Sequence, residues 1–333
     1  MDNVTMAVPL KQPIVFQLEG FYVPPGYGAF LFFLALLCYI VIMLANGVVL
    51  CIIVIDKNLH RPMYILVCNL VVCDLLGATT VLPRLMMHFL MGQKKIGYIS
   101  AIAQAFCFVI QLGITSRAIL TVMAYDRYVA ICNPLRYSAI MTLPVRLLLI
   151  AGAWSFGAFC TLPATSMSFQ RSYCGPNVVN HGWCDPSSVR RLVCGDVTVD
   201  NIVSLSCAVV ALSTTGILIL TSYILIGVSV SKMVVAQRLK AFGTCAAHLT
   251  VVSISYSSAS CVYISYRKGK CPSVDYVRII VSVLYAALTP FLNPMIYSLK
   301  NKELRESIGR NLMRFRPAAV LPNKDVNTVT TSS

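Results

Sequence analysis

An adjacent pair of opposite charges, Asp126 and Arg127, followed by Tyr128, closes a long apolar stretch. Ionised side chains at a membrane boundary are costly and imply a use. The carboxylate can neutralise its neighbour while the guanidinium reaches under a helix bundle, a latch closed in one state and released in another; a boundary marker is the other reading. Asp74 lies deep in a second apolar stretch, and Asn46, Ser116 and Asn293 are its expected partners around water or a cation such as sodium, with proton carriage as the competing role. Pro294 deletes one helix hydrogen bond and frees a carbonyl, giving a kink that Asn293 can brace and around which Tyr297 can turn. Tyr256, Ser260, Tyr263 and Arg267 recur at steps of four, three and four, hence on one helix face. Gln104, Gln111 and Thr115 recur at steps of seven and four, with Cys107 and Phe108 beside them. Two such polar stripes at matching depth predict a cavity between helices; hydrogen bonding between helices without a ligand is the alternative. Arg267 lies about 28 Å along the helix from His248 and offers a planar fork for a carboxylate. It could equally be solvated beside Lys268 and Lys270, or pair with Asp275.

The elements that must position these groups are membrane helices. Of 333 residues 57% are apolar and 12% charged, and 27 Lys and Arg against 12 Asp and Glu give a net charge of +15. About 25% charged residues would be expected of a soluble domain, so a water-soluble enzyme is excluded. The cations sit in short clusters between apolar runs rather than on one polar face, which argues against a nucleic-acid partner. A helix needs about 20 mostly apolar residues to cross a bilayer. Seven windows qualify, from Gly28 to Ile55, Met63 to Leu90, Ile99 to Ala130, Val145 to Met167, Ile202 to Val230, Phe242 to Ser265 and Tyr276 to Leu299. The expected organisation is an N-terminal segment over 1–27, a seven-helix domain over 28–299, a membrane-surface helix over 300–316 and a disordered tail over 317–333. In that helix Leu304, Ile308, Leu312 and Phe315 alternate with basic residues at three- and four-residue steps, the pattern of a helix lying on anionic lipid.

Seven spans place the termini on opposite sides. The positive-inside rule favours a cytoplasmic C-terminus, mainly through Lys300, Lys302, Arg305, Arg310, Arg314, Arg316 and Lys324. Asn3-Val4-Thr5 is a glycosylation acceptor that fits an extracellular N-terminus. Most of the 14 cysteines lie within spans and act as small apolar residues. Cys174, Cys184 and Cys194 stand in the long outer loop and Cys271 in the next one, where disulfides can hold a loop with little core of its own. No two of His60, His88, His181 and His248 lie at metal or nucleophile spacing, so neither a metal nor a catalytic role is expected.

Met123 through Cys132, around Asp126-Arg127-Tyr128, resembles the signature of the olfactory receptors, a branch of the rhodopsin-like G-protein-coupled receptors. Pro62-Met63-Tyr64, Ser222-Tyr223, Lys240 through Leu249 and Pro290 through Asn301 agree in the same order, and Tyr256 stands where many other rhodopsin-like receptors carry a tryptophan. The resemblance implies an all-α membrane protein of the plasma membrane, a seven-helix bundle with a short amphipathic C-terminal helix. It also implies a small odorant ligand among the outer halves of spans three, five and six, and a stimulatory olfactory G protein that raises cAMP. Asp126, Arg127, Tyr128, Tyr223, His248, Asn293, Pro294 and Tyr297 would then form the activation switch. An Arg at the position of Arg267 resembles the fish-like class and would favour acidic or polar water-soluble odorants.

Two residues depart from the pattern. The family usually has a cysteine where this chain has Ile102, which removes the expected partner of Cys184; Cys107 lies roughly 7.5 Å deeper. Cys174 with Cys194 becomes the expected bridge, with Cys184 free or joined to Cys271. Arg117 puts a charge in the middle of span three, next to Ser116 where the family often has an acid. Two other functions compete. A non-olfactory amine receptor would want a carboxylate in the outer half of span three, and none stands between Ala101 and Thr121. A transporter would want internal repeats or several intramembrane acids.

Overall fold

The structure is a computed structural model that describes residues 14–19, 23, 25–92, 94–105, 111–174, 176–184, 186–267, 283, 287–298 and 301–314. Its helices are α1 (Gly28–Ile55), α2 (Pro62–Met91), α3 (Tyr98–Ile102), α4 (Gln111–Cys132), α5 (Tyr137–Ile140), α6 (Leu143–Gln170), α7 (Pro186–Arg190), α8 (Thr198–Ser231), α9 (Val235–Arg267), α10 (287–298) and α11 (Lys302–Arg314). All seven apolar windows are helical where they are described, with α3 and α4 carrying the third. α1, α2, α6 and α8 are each long and apolar enough to cross a membrane. α9 begins at Val235, well before the predicted Phe242, because Ala236, Gln237 and Arg238 are good helix formers even where the sequence is polar.

Local chemistry sets the ends. Pro62 occupies the first turn of α2, where its missing N–H costs nothing, and Gly92 ends that helix in the left-handed region at φ 60°. Gly28 must lack a side chain, since a Cβ there would lie 2.6 Å from the Phe89 carbonyl oxygen. The start of α1 can therefore touch the end of α2. α4 is the hub, in contact with α2, α6, α8 and α9. Leu66, Leu70, Ile119, Leu120, Met123, Ala124 and Val251 bury the centre. Phe30, Phe33 and Leu44 of α1, Leu148 and Phe159 of α6, and Ile217 and Leu220 of α8 face outward, as side chains solvated by lipid do.

One end of the bundle carries a cap. β1 (Val15–Leu18) is the central strand of a three-stranded sheet, antiparallel to β2 (Lys95–Gly97) and parallel to β3 (Val178–Val179). Side chains alternate along it: Ile14, Phe16 and Leu18 are buried while Val15 and Glu19 are exposed. Phe16 packs edge-on to Tyr173, with ring centroids 5.4 Å apart, and Tyr173 meets Tyr98 at the same separation. The loop after α6 is closed by the Cys174–Cys194 disulfide, the bridge expected from the sequence, beside an antiparallel pairing of Tyr173 with Val193. Arg171 and Asp200 join that loop to α8 at 2.5 Å. Ile102 and Cys184 are both fully buried in the apolar cluster under the sheet, so packing supplies cohesion where the missing cysteine would have stood. Cys271 and Asn3 lie outside the described residues.

At the other end α11 is fastened to the turn after α1. Asp56 accepts hydrogen bonds from Ser307 and, at 3.2 Å, from Arg310; Arg61 meets Glu303 at 2.8 Å, and the Tyr64 hydroxyl lies 3.0 Å from that same carboxylate. Leu304 and Ser307 are buried on one face of α11 while Glu303, Arg305, Glu306 and Arg310 are exposed on the other. The Ser307 hydroxyl, the Asn58 N–H and the Arg310 guanidinium outweigh the opposing effect of burial and hold the Asp56 carboxyl at about 2, below its ordinary 3.8.

Two outcomes follow from these ends. Phe16→Ala is expected to cost the cap about 3 kcal/mol, measured as lost hydrogen-exchange protection at the amides of β3, while protection in α6 is unchanged. Because the folded Asp56 carboxyl titrates below its unfolded value, its stabilisation is complete above pH 3.8 and is lost as pH falls towards about 2. Spin labels at Lys57 and Glu306 should separate across that window, and Asp56→Asn should remove the pH dependence.

Candidate functional site

Halfway down the bundle α4, α8 and α9 are joined by polar contacts. Arg117 is 6% exposed. Its Nη1 donates to the Gly113 carbonyl on its own helix at 2.6 Å, and its Nη2 donates across to the Ser255 carbonyl of α9 at 3.3 Å. The guanidinium stands 6.0 Å from the centre of the Tyr256 ring. Tyr256 in turn donates its hydroxyl to Thr215 Oγ1 on α8 at 2.7 Å, and its ring lies over Gly216. One cation and one phenol thus bind three helices at a single level. A guanidinium placed there costs several kcal/mol in desolvation, which the carbonyl dipoles and the aromatic face help to offset.

The predicted pocket residues divide. Tyr256 is half-buried at this level, and Thr115, two residues before Arg117 on α4, is fully buried. Gln104 is buried and occupied at both ends of its amide: Nε2 donates to the Thr80 carbonyl at 3.0 Å, and Oε1 accepts the Cys184 N–H at 3.2 Å. It thereby ties the cap loop to α2, because a buried amide bonds the nearest backbone groups. Ser260 is exposed on α9 and returns its hydroxyl to the Tyr256 carbonyl at 2.8 Å. Cys107 and Phe108, and the side chains of Gln111, Tyr263 and Arg267, lie outside the described residues.

Asp74 and Asn293 meet, with Asn293 Nδ2 donating to Asp74 Oδ2 at 2.8 Å. Asn46 does not join that contact: its Nδ2 donates to the Ile42 carbonyl and, at 2.8 Å, to the Pro290 carbonyl. The Pro290 oxygen is the acceptor that Pro294, lacking an N–H, leaves without its helical donor. Asn46, not Asn293, therefore supplies the donor that Pro294 lacks. Ser116 returns its hydroxyl to the Gly113 carbonyl at 3.0 Å. Among the described residues the buried Asn46 Oδ1 accepts no hydrogen bond.

Asp126 is also held differently from expectation. It accepts the Tyr137 hydroxyl of α5 at 2.7 Å, and among the described residues no ion pair within 4 Å joins it to Arg127. A neutral donor across the turn serves where the adjacent residue's side chain, on another face of the helix, does not. Tyr128 and Tyr223 pack against Ile226, Val230, Ala241 and Cys245. Tyr223 Oη lies 2.7 Å from His248 Nδ1, and His248 Nε2 lies 3.0 Å from the Leu120 carbonyl oxygen. Since a carbonyl only accepts, Nε2 carries the proton, and in the neutral ring Nδ1 accepts the tyrosine hydroxyl. Tyr297 is buried and points its hydroxyl towards Met123 Sδ. Thr215, Ser255 and Tyr137 are not singled out by the sequence; Thr215 is one of three consecutive hydroxyl residues, Ser213 to Thr215, in α8.

Comparison with known proteins places this geometry. Squid rhodopsin shares the fold, with a TM-score of 0.65 at 18% identity over 88% of this chain and 82% of that one. Mouse (Mus musculus) olfactory receptor 5G9 is 36% identical over 90% of this chain and 94% of its own length. Human (Homo sapiens) olfactory receptors 10H5 and 10G3 are 37% and 39% identical, each over 89% of this chain and over 93% and 94% of their own lengths. Residues 35–314 match the family described as olfactory receptor. A multi-pass bundle of rhodopsin-like fold with this sequence kinship is no enzyme, and the chain belongs to the olfactory receptor family.

Proposed function

We propose that this odorant-sensing receptor lies in the plasma membrane with its N-terminus outside and its C-terminus in the cytoplasm, binds a small odorant between the outer halves of α4, α8 and α9, and activates the stimulatory olfactory G protein to raise cAMP. The basic residues around α11 support the orientation, and Asn3 would carry a glycan. Thr115, Tyr256 and Ser260 contribute to the pocket, with Cys107, Phe108, Gln111, Tyr263 and Arg267 completing it. Arg267, shared with the fish-like class, inclines the ligand towards acids and other anions. A sodium ion or water would sit by Asp74 and Asn46.

The observation that carries this reading is the two-level join of the same three helices. Above, Arg117 and Tyr256 link α4, α9 and α8; below, His248 links α9 to α8 through Tyr223 and to α4 through Leu120. A ligand that binds better when the upper join contracts stabilises the state in which the lower one opens. The inner end of α9 then swings out, Arg127 turns inward with Tyr223 and Tyr297, and a G-protein helix enters. The arrangement described above is the resting state.

Expression with the olfactory stimulatory G protein, reading cAMP against carboxylic acids, amino acids and neutral odorants, tests the whole. Silence to every class from a receptor present at the surface would sink it. Tyr223→Phe removes a hydrogen bond of about 1 kcal/mol from the resting state, so ligand-independent cAMP should rise several-fold. Arg267→Ala should weaken responses to acids several-fold while leaving neutral odorants and surface expression unchanged.

A further inference from the structure

One buried hydroxyl sits at the centre of the attachment of α11. Ser307 is fully buried and donates to Asp56 Oδ2, while Asn311 Nδ2 approaches the same hydroxyl oxygen at 3.4 Å. Asp56 is ionised at neutral pH, since its carboxyl titrates at about 2. A fixed negative charge thus holds Ser307 as a donor. Arg305 stands two residues before it and Arg310 three after, and both are exposed. Arginines so placed suit the carboxylate-lined substrate groove of a basic-directed serine kinase. Burial does not close the hydroxyl off. At 13 residues α11 is marginal as a helix in water on its own. Gly309 weakens it further, and the space where a Cβ would stand there is open, so packing does not require the glycine. The Arg61–Glu303 and Arg310–Asp56 pairs have exposed guanidinium groups and each contributes little. When they part, the segment unwinds and Ser307 meets solvent in the extended form that a kinase binds.

We propose that Ser307 is a phosphorylation site for an arginine-directed serine kinase, and that its phosphate keeps α11 from returning to the turn after α1. This rests on the reading that α11 faces the cytoplasm, where such kinases meet ATP. The Ser307 oxygen attacks the γ-phosphorus of ATP; the new O–P bond forms as the bond to the β-phosphate breaks, ADP leaves, and the hydroxyl proton passes to the kinase's base. The product carries a charge of about −1.5 to −2. It faces Asp56, which now accepts from the hydroxyl, so attraction becomes repulsion. Arg310, which donates to Asp56 at 3.2 Å, lies one helical turn from the phosphate and is drawn to it instead. From Lys302 to Arg314, the basic residues Lys302, Arg305, Arg310 and Arg314 outnumber Glu303 and Glu306 by two. The phosphate cancels that excess and with it the pull of anionic lipid. Contacts with the bundle and with the membrane surface are lost together.

The test uses the full-length receptor purified into lipid nanodiscs and incubated with ATP and the catalytic domain of protein kinase C, an arginine-directed kinase. Mass spectrometry should place phosphate on Ser307, and none at that position in Ser307→Ala. Because the kinase acts on the open form, its rate follows the open population. Gly309→Ala, which firms the helix, should slow modification about threefold, and Asp56→Ala, which removes the anchor, should hasten it several-fold. Hydrogen exchange should then show the α11 amides unprotected in the phosphorylated receptor and protected in the untreated one, with α2 alike in both. No phosphate on Ser307 of the receptor, or α11 equally protected after full phosphorylation, overturns the proposal. The orientation is read separately, by an antibody to a C-terminal tag on intact and permeabilised cells. Binding to intact cells would overturn the cytoplasmic placement, and with it the use of the site in cells, whatever the purified receptor does.

Discussion

Asn46 lies fully buried between α1 and α10, with its amide nitrogen on the carbonyl that Pro294 strips of its helical donor. In hydrocarbon such an oxygen has no water to turn to, so Pro294 is best tolerated in α10 where a neighbouring helix supplies a donor. Three residues beyond Pro290, Asn293 adds its own bond to Asp74. α10 is consequently fixed to both α1 and α2 between Pro290 and Asn293, and Tyr297, one turn beyond, is delivered to Met123 of α4. The constraint that a polar group inside the membrane must be answered from within the chain sets the other joins as well, from Arg117 with Ser255 to His248 with Leu120.

The two ends solve a different problem, because water is at hand there. The cap is held by apolar alternation, aromatic edges and one disulfide, the means available to a small sheet without a core of its own. The opposite end relies on carboxylates, Asp56 and Glu303, that hold α11 to the first turn between helices. Exposed ion pairs contribute little each, so the buried faces of Leu304 and Ser307 carry much of that attachment.

Much of this is legible in the residues. The seven apolar windows are helical wherever they are described, because length and apolarity suffice to specify a membrane span. The Cys174–Cys194 bridge is readable because Ile102 removes the usual alternative. The cap is not, although Ile14, Phe16 and Leu18 alternate as a strand must, since the strands it pairs with are three and two residues long and lie far apart in sequence. Gln104 has the spacing of a ligand contact, but spacing does not reveal a backbone carbonyl such as that of Thr80 across the groove. Arg117 is visible as an anomaly. Its neighbours are not, because Ser255 contributes a carbonyl that any residue at that position would possess.

The central place of β1 in the sheet bears on how the molecule is made. The strand is synthesised first, yet its neighbours arrive only with β2, after α2, and β3, after α6. Until β2 has been made, both edges of this short amphipathic strand, with Ile14, Phe16 and Leu18 on one face, are open, and one edge stays open until β3 follows. The sheet can therefore be completed only after α6 has been made, and an unpaired strand edge is open to other chains until then.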